Sequence, residues 1–226
     1  MRIILATFDR EPYSSAVKPC LALLRKFWPG FCGWPLSVVW NERIVDFGPD
    51  APLLLTGHDT HWGRMLSSAL SQVEDEWVLY LCEDYFALGP WDSARLAHAA
   101  DAIQSVPMAG YLRLCPCPPP DRALPPGVDF GEHVGGNYRA SLQPSFWRRE
   151  YLMRLCAKYP TPWDFEIQEH GDPDVGHYSY ADGARSPVQF TQGLRRGGLW
   201  QDEALELCRR EGVVCPNPLL AEAARG

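Results

Sequence analysis

The stretch WVLYLCEDYFALGP, residues Trp77–Pro90, contains the transition that decides the fold. It opens with the apolar run WVLYL, whose length and composition are those of a buried β-strand. The run then ends in two adjacent acids, Glu83 and Asp84, and an aromatic pair follows them. In open α/β sheets, ligands bind beyond the carboxyl ends of the strands, where loops converge into a cleft. The stretch therefore predicts a strand that delivers two carboxylates to a binding cleft.

Strand patterns alternate with amphipathic helix patterns around this stretch. In the first half we predict strands over residues 2–8, 36–40, 52–57, 77–81 and 108–114, and helices over 16–27, 59–73 and 91–105. Such alternation predicts an α/β fold with a mostly parallel sheet covered by helices.

The second half begins with a loop rich in proline and glycine at residues 115–136. Beyond it we predict a strand at 138–142, helices at 145–157, 163–170 and 201–212, and strands within HYSYADG and PVQFTQGLRRGGLW. This is an α+β pattern. The length of 226 residues favours one domain over residues 1–226, with halves 1–114 and 115–226.

Composition and charge exclude several classes of protein. The net charge of −7 and the absence of a basic block argue against a nucleic-acid partner. The apolar run near the N-terminus is too short for a signal peptide or a membrane span, which predicts a cytoplasmic location. The eight cysteines form no CxxC pair and are expected to be reduced core residues, and Cys115 and Cys117 lack a second ligand pair for zinc.

Two further groups of charged residues suggest chemistry. In PWDFEIQ, Asp164 and Glu166 each stand beside a large aromatic residue, and an apolar wall can shift the pKa of a carboxyl group into the range of a general base. The alternative is that these acids lie in the first turn of a helix, where they interact favourably with the helix dipole and need no catalytic role. In TQGLRRGGLW, Arg195 and Arg196 lie between glycines and suit a diphosphate, although a solvated surface pair fits equally well. For Glu83 and Asp84 the alternative is a turn cap or a pairing with arginine.

A resemblance covers roughly residues 56 to 200. The succession DTHWGRMLSSALSQVEDEWVLYLCEDYFALGPWD, YRASLQPSFWRREYLMRL, PWDFE and GGLW resembles small bacterial GT-A-type glycosyltransferases of polysaccharide and lipopolysaccharide biosynthesis. The resemblance implies a GT-A-like, Rossmann-like mixed sheet with a nucleotide-sugar half and an α+β acceptor half. It implies a nucleotide-sugar donor and a glycan or lipid-linked acceptor. It also implies that the enzyme acts at the inner face of the membrane, which it would contact peripherally.

The same resemblance implies roles for donor-site residues. Glu83, Asp84 and Tyr85 take the place of the metal-binding DxD motif, so that Asp84 would contact the donor phosphates directly, through Mn²⁺ or Mg²⁺, or hold the sugar. Because EDY lacks the second aspartate, metal dependence stays open. The remaining donor contacts are expected from Thr7, Asp9, Arg10, Arg195 and Arg196.

The catalytic and acceptor roles follow on the C-terminal side. The sequence does not reveal whether the anomeric configuration inverts; in an inverting reaction, Glu166, with Asp164 second, would deprotonate the acceptor hydroxyl. Trp147 and Trp163 would stack on an acceptor sugar and Gln143 would donate a hydrogen bond to it. Core packing is the alternative for the tryptophans, and holding the turn before Pro144 is the alternative for Gln143.

The sequence is also compatible with two other functions, a metal-dependent hydrolase and a non-catalytic binding protein. The segment GHDTHW could place His58, Asp59 and His61 around a hydrolase metal, if a third ligand such as Glu83, Asp84 or His133 converged on it. The alternative is that Asp59 or Thr60 caps the following helix. A non-catalytic binding protein with the GT-A fold is also compatible with the incomplete acidic motif.

Overall fold

The computed structural model describes residues 1–58, 60–123, 128–136, 138–169, 171–195 and 198–215. The strands are β1 (Arg2–Ala6), β2 (Leu36–Trp40), β3 (Leu53–Leu55), β4 (Trp77–Cys82), β5 (Tyr85–Ala87), β6 (Ala109–Arg113), β7 (Arg122–Ala123), β8 (Phe130–His133), β9 (Ser145–Arg148), β10 (Gly176–Tyr180), β11 (Phe190–Gln192), β12 (Leu194–Arg195) and β13 (Leu199–Trp200). The helices are α1 (Tyr13–Phe27), α2 (Trp62–Ser71), α3 (Ser93–Ser105), α4 (Arg149–Cys156), α5 (Pro162–Gln168) and α6 (Asp202–Glu211).

One large sheet organises the chain, in the strand order β3-β2-β1-β4-β9-β6-β10-β8-β7. Within it only β8 and β9 run against the common direction, because β9 is antiparallel to both β4 and β6 and β8 is antiparallel to β10 and β7. Two small antiparallel ribbons, β5–β11 and β12–β13, lie beside it. The prediction of a mixed, mostly parallel sheet flanked by helices is confirmed.

Both faces of the sheet are buried, as a parallel sheet requires. The alternation of side chains along β1 divides them between two cores. Ile3 and Leu5 pack with residues of α1, α3 and α6, whereas Ile4 and Ala6 pack with residues of α2 and α4. Within the described ranges, no helix is long and apolar enough to cross a membrane.

The main correction to the predicted elements concerns residues 138–157. Residues 138–142 form no strand; the strand is β9, which starts at Ser145, and the helix that follows begins only at Arg149. Trp147 pairs with Val78 of β4 on one side and with Tyr111 of β6 on the other. Pairing with two long strands therefore overrides the helical pattern of the sequence, which is a tertiary effect that local propensity does not carry.

Candidate active site

The site begins where β1 and β4 end side by side. The two strands are parallel, and Ala6 is paired with Cys82. The Glu83 amide donates to the Ala6 carbonyl at 3.3 Å, which continues the pairing by one residue. Thr7 and Glu83 therefore leave the sheet together at its carboxyl edge.

The residues after Glu83 are held by the β5–β11 ribbon. The Gly193 amide donates to the Asp84 carbonyl at 2.5 Å, and Tyr85 pairs with Gln192. The Tyr85 ring meets Phe190 edge to face at 4.8 Å between ring centroids. Because both neighbours are fixed, Asp84 occupies a defined turn between two strands.

Helix α5 brings the third carboxylate. Thr161 caps it, since the Thr161 hydroxyl accepts from the Asp164 amide at 3.1 Å, and Pro162 occupies the first turn, a position that proline favours. Phe165 is buried against Trp62 and Trp147, with ring centroids 5.6 and 6.1 Å away. This packing fixes the rotation of the short helix and so decides where Glu166 lies.

Glu166 is bound to the segment that precedes β9. Its Oε1 accepts hydrogen bonds from the Ser141 hydroxyl at 2.9 Å and from the Leu142 amide at 2.8 Å. Among the described residues, nothing donates to its Oε2. One carboxylate oxygen is thus anchored, and the other remains available to a ligand.

A cavity of about 340 Å³, here called the central cavity, joins these elements. It gathers most of the residues that the sequence predicted. Those predicted residues are Thr7, Arg10, Glu83, Asp84, Tyr85, Trp163 and Glu166. It also contains Tyr13, Thr60, Trp62, Tyr80, Cys82, Leu142, Thr161 and Gln192, among others.

A second cavity of about 350 Å³, here called the side cavity, adjoins the first. The two cavities share Tyr13, Asp84, Trp163, Glu166 and Gln192. The side cavity adds Tyr138, Ile167, Leu194 and Arg195. Arg195 therefore lies beside Glu166 but outside the central cavity, and Arg196 falls outside the described residues.

Burial changes the protonation of the two adjacent acids. Burial, with the nearby charge of Asp84, raises the pKa of Glu83 well above its usual value. Burial, with the charge of Glu166, raises the pKa of Asp84 to about 7. The protonated form of both acids is therefore favoured over that of a solvated carboxyl group, and at pH 7 about half of the Asp84 side chains keep their proton, with which they can donate a hydrogen bond.

Arg10 is a cationic hydrogen-bond donor that lines the central cavity. Its guanidinium lies over the Phe8 ring at 4.9 Å and over the Tyr13 ring at 5.8 Å from the centroids. Both contacts are within the range of cation–π attraction and hold the side chain at the cavity wall. Across the described ranges, no group of three or more His, Cys, Asp or Glu side chains is placed to hold a metal ion by itself, so a Mn²⁺ or Mg²⁺ ion at Asp84 would also need oxygen ligands from a bound molecule or from water.

Three predicted residues lie elsewhere. The Asp164 carboxylate accepts from the Thr161 hydroxyl at 2.6 Å and belongs to the helix cap. The Asp9 carboxylate is paired with Arg43, whose Nε lies 2.8 Å from its Oδ2, and this contact lowers the pKa of Asp9. Gln143 accepts from the Cys115 thiol at 2.7 Å and lines a different cavity.

The prediction that Trp147 stacks on an acceptor is wrong. Its side chain is 0% exposed, and its indole N–H donates to the Ser145 hydroxyl at 2.9 Å. Its ring lies 4.3 Å from the Tyr111 ring, in the core beneath α5. The core-packing alternative holds for Trp147, whereas Trp163 is half-buried and lines both cavities.

Within the described ranges, His58, His61 and His133 belong to no group of side chains that could hold a metal ion. His58 is exposed and paired with Glu42, with 3.2 Å between its Nδ1 and Oε2. His61 is itself the N-cap of α2, in place of the predicted Asp59 or Thr60, and its Nδ1 accepts from the Arg64 amide at 3.2 Å. His133 is buried beside Arg113, at 2.8 Å, and lines neither cavity. Asp59 lies outside the described residues.

Sequence reasoning missed the residues that position or surround the acids. Ser141 and the Leu142 amide orient Glu166, Gln192 lies between the two cavities, and Tyr13 and Tyr138 provide aromatic walls. The motif SLQP contained a signal for Ser141, since a polar residue next to a chain reversal commonly serves a neighbouring group. No local pattern marks the others, because they meet only through the fold.

Comparison with known proteins gives distant structural matches. No protein-family model and no curated protein matches the sequence. S. aureus TarS 1-349 is 15% identical over 80% of this chain and 60% of that chain, with a TM-score of 0.43. The mannosyltransferase PcManGT from Pyrobaculum calidifontis, solved with GDP-Man and Mn²⁺, is 16% identical over 68% of this chain and 46% of that chain, with a TM-score of 0.40. Mouse xyloside xylosyltransferase 1 is 12% identical over 76% and 79%, with a TM-score of 0.39. All three TM-scores are below 0.5.

Proposed function

We propose that this protein is a glycosyltransferase of the GT-A type that moves a sugar from a nucleotide-diphosphate donor to a hydroxyl of a glycan or lipid-linked acceptor. The observation that carries the proposal is the central cavity at the carboxyl ends of β1 and β4. It joins Thr7 and Arg10, the acids Glu83 and Asp84, and Glu166 from a distant part of the chain. In an α/β sheet this edge is where nucleotide ligands bind.

The transfer needs a base for the acceptor hydroxyl. We assign that role to Glu166, because its Oε1 is anchored and its Oε2 has no donor among the described residues. As the acceptor oxygen forms a bond to the anomeric carbon, the bond from that carbon to the phosphate oxygen breaks. The acceptor proton passes to Glu166, and the nucleoside diphosphate leaves with the bonding electron pair. Such a single displacement inverts the anomeric configuration.

The donor needs compensation of its negative charge. Arg10 is the arginine at the wall of the central cavity and supplies charged hydrogen bonds to the diphosphate. Burial favours the protonated form of Glu83 and Asp84, and in that form each acid can donate a hydrogen bond to the donor. In this scheme residues 1–114 contact the donor, and residues 115–226 provide the base and the acceptor contacts. The motif resemblance favours a role in the synthesis of surface polysaccharides, with the reaction taking place in the cytoplasm.

The test compares two acid-to-amide variants of one helix. Wild-type protein is screened by thermal shift against UDP and GDP sugars, with and without Mn²⁺, and the slow hydrolysis of the stabilising donor is then measured. Glu166→Gln should lower that hydrolysis by about 10²- to 10⁴-fold, the contribution of a general base, while donor binding persists. Asp164→Asn, altered at the helix cap, should behave as wild type.

Two outcomes would end the proposal. If no nucleotide sugar stabilises the wild-type protein, the central cavity is not a donor site. If donors bind and neither hydrolysis nor transfer occurs, the protein is a non-catalytic binding module. Equal losses in Glu166→Gln and Asp164→Asn would show that the effect comes from α5 as a whole and not from the base.

A further inference from the structure

The side cavity holds a strained aromatic residue next to the candidate base. Tyr138 has a φ of 60°, a left-handed conformation that a residue with a large side chain rarely adopts. Its side chain is 46% exposed and lines the side cavity with Glu166. Backbone strain of this kind costs about 1–3 kcal/mol and persists where surrounding structure enforces it, often at functional sites.

A buried arginine enforces that conformation. The Arg113 side chain is fully buried, and its Nη1 donates to the Tyr138 carbonyl at 3.1 Å. Its other nitrogens donate to the carbonyls of Cys115 and Pro118 and contact His133. The backbone of Tyr138 is therefore clamped from inside the protein while its ring faces the cavity.

Besides Tyr138 and the acids Asp84 and Glu166, the cavity wall contains apolar surface and, among the described residues, one cation. Ile167 is 53% exposed, Trp163 is half-buried, and both line the cavity. Arg195 is exposed at the same wall, and its guanidinium has no partner among the described residues. Aromatic faces suit the C–H face of a sugar ring, and a guanidinium suits a phosphate.

We propose that the side cavity is the acceptor subsite and that it recognises a sugar ring carrying a phosphate group. The ring packs on Tyr138 and Trp163, the phosphate pairs with Arg195, and the reacting hydroxyl faces Glu166. The volume of about 350 Å³ is near the lower end of about 300–1,000 Å³ for ligand cavities, which fits one sugar phosphate better than a long glycan. This inference rests on the proposed function, because the subsite serves the base assigned there.

A binding experiment without donor tests the subsite separately from transfer. Glucose 1-phosphate and methyl α-glucoside are titrated into the wild-type protein by calorimetry. We expect the phosphate to improve affinity by about tenfold, the effect of one charge-assisted hydrogen-bonding pair. Arg195→Gln should abolish the preference, and Arg195→Lys should restore part of it.

Two variants separate the ring contact and the location. Tyr138→Ala should weaken both ligands by a similar factor, and Tyr138→Phe should keep the wild-type affinities. Arg10→Gln, altered in the central cavity, should retain the preference. A preference lost in Arg10→Gln but kept in Arg195→Gln would place the sugar phosphate in the central cavity and overturn the proposal, as would the absence of any preference in wild type. Failure of transfer with this binding pattern intact would count against the proposed function alone.

The phosphate could belong to a soluble sugar phosphate or to a lipid-linked sugar. Glucose joined through phosphate to a farnesyl chain, presented in detergent micelles, distinguishes the two. Affinity equal to that of glucose 1-phosphate supports recognition of the sugar phosphate alone. Tighter binding that is reduced by Ile167→Ser supports a lipid-linked acceptor, because the chain would then contact the exposed Ile167.

Discussion

Replacing Asp84 with asparagine should stabilise the protein, by an amount that grows as the pH rises. The pKa of Asp84 is raised from 3.8 to about 7 in the folded chain. The unfolded chain therefore loses the Asp84 proton at lower pH than the folded chain does. Folding becomes progressively less favourable as the pH rises from about 4 to 7, and above 7 the loss is complete.

The magnitude follows from the size of the shift. Each pKa unit corresponds to about 1.4 kcal/mol, so a shift from 3.8 to about 7 costs at most about 4 kcal/mol at alkaline pH. Roughly 2 to 3 kcal/mol of this develops between about pH 5 and pH 8. The asparagine side chain has no proton to lose in this range, so the stability of Asp84→Asn should exceed that of wild type by a margin that grows by roughly 2 kcal/mol over this interval.

The assay is urea unfolding of both proteins at several pH values, in buffer containing a chelator so that no divalent cation binds the acids. The free energies of unfolding of the two proteins are compared at each pH, because other groups also titrate and change the stability of both. Burial lowers the pKa of His133 to about 4 and that of His177 to about 3, so both proteins lose stability as the pH falls below about 6.5. Subtraction removes this shared term.

Asp164→Asn provides the matched control, because its carboxylate lies in a helix cap and not in the central cavity. Its difference from wild type should not grow with pH. If the Asp84→Asn difference also stays constant between pH 5 and pH 8, Asp84 is solvated in the folded protein. The description of the central cavity as a desolvated site for the two acids would then be wrong.

Two further substitutions test the supports of the site. Ser141→Ala should reduce kcat by about tenfold with little change in donor affinity, because it removes one of the two hydrogen bonds that orient Glu166. Ser141→Thr keeps the hydroxyl group and should retain activity. An unchanged kcat in Ser141→Ala would contradict this positioning role. Gly63→Ala should destabilise the protein by more than about 3 kcal/mol in urea unfolding, because its Cβ would lie 1.8 Å from the Cys156 carbonyl oxygen, where backbone cannot yield; wild-type stability would show that α2 and α4 can separate without cost.

The sequence predicted the part of the site that depends on strand ends. The run that became β4 had an unambiguous pattern, and its register with β1 carries Glu83 and Asp84 to the cavity. Glu166 was also predicted, from its place beside large aromatic residues in PWDFEIQ and from the motif resemblance. The structure brings these residues to one cavity, and their roles there stay predictions.

The sequence could not predict features that depend on partners far along the chain. Asp164 and Glu166 are two residues apart with similar neighbours, yet only Glu166 reaches the cavity, because packing of Phe165 on Trp62 sets the helix rotation. Trp147 has the flat aromatic side chain that can stack on a sugar ring, but β9 pairs with strands on both sides and this pairing buries the residue. In both cases the deciding contact is tertiary.

The position of Glu166 ultimately depends on a buried charge in the second half of the sheet. Glu166 is oriented by residues 141 and 142, which closely follow Tyr138, and the Tyr138 carbonyl is held by the fully buried Arg113. The segment before it is rich in proline and glycine and offers few apolar side chains for packing. Hydrogen bonds from a guanidinium to backbone carbonyls can fix such a segment where packing cannot. Because an uncompensated buried charge is costly, Arg113 favours only the loop conformation that supplies those carbonyls, and that conformation is the one that presents Ser141 to the base.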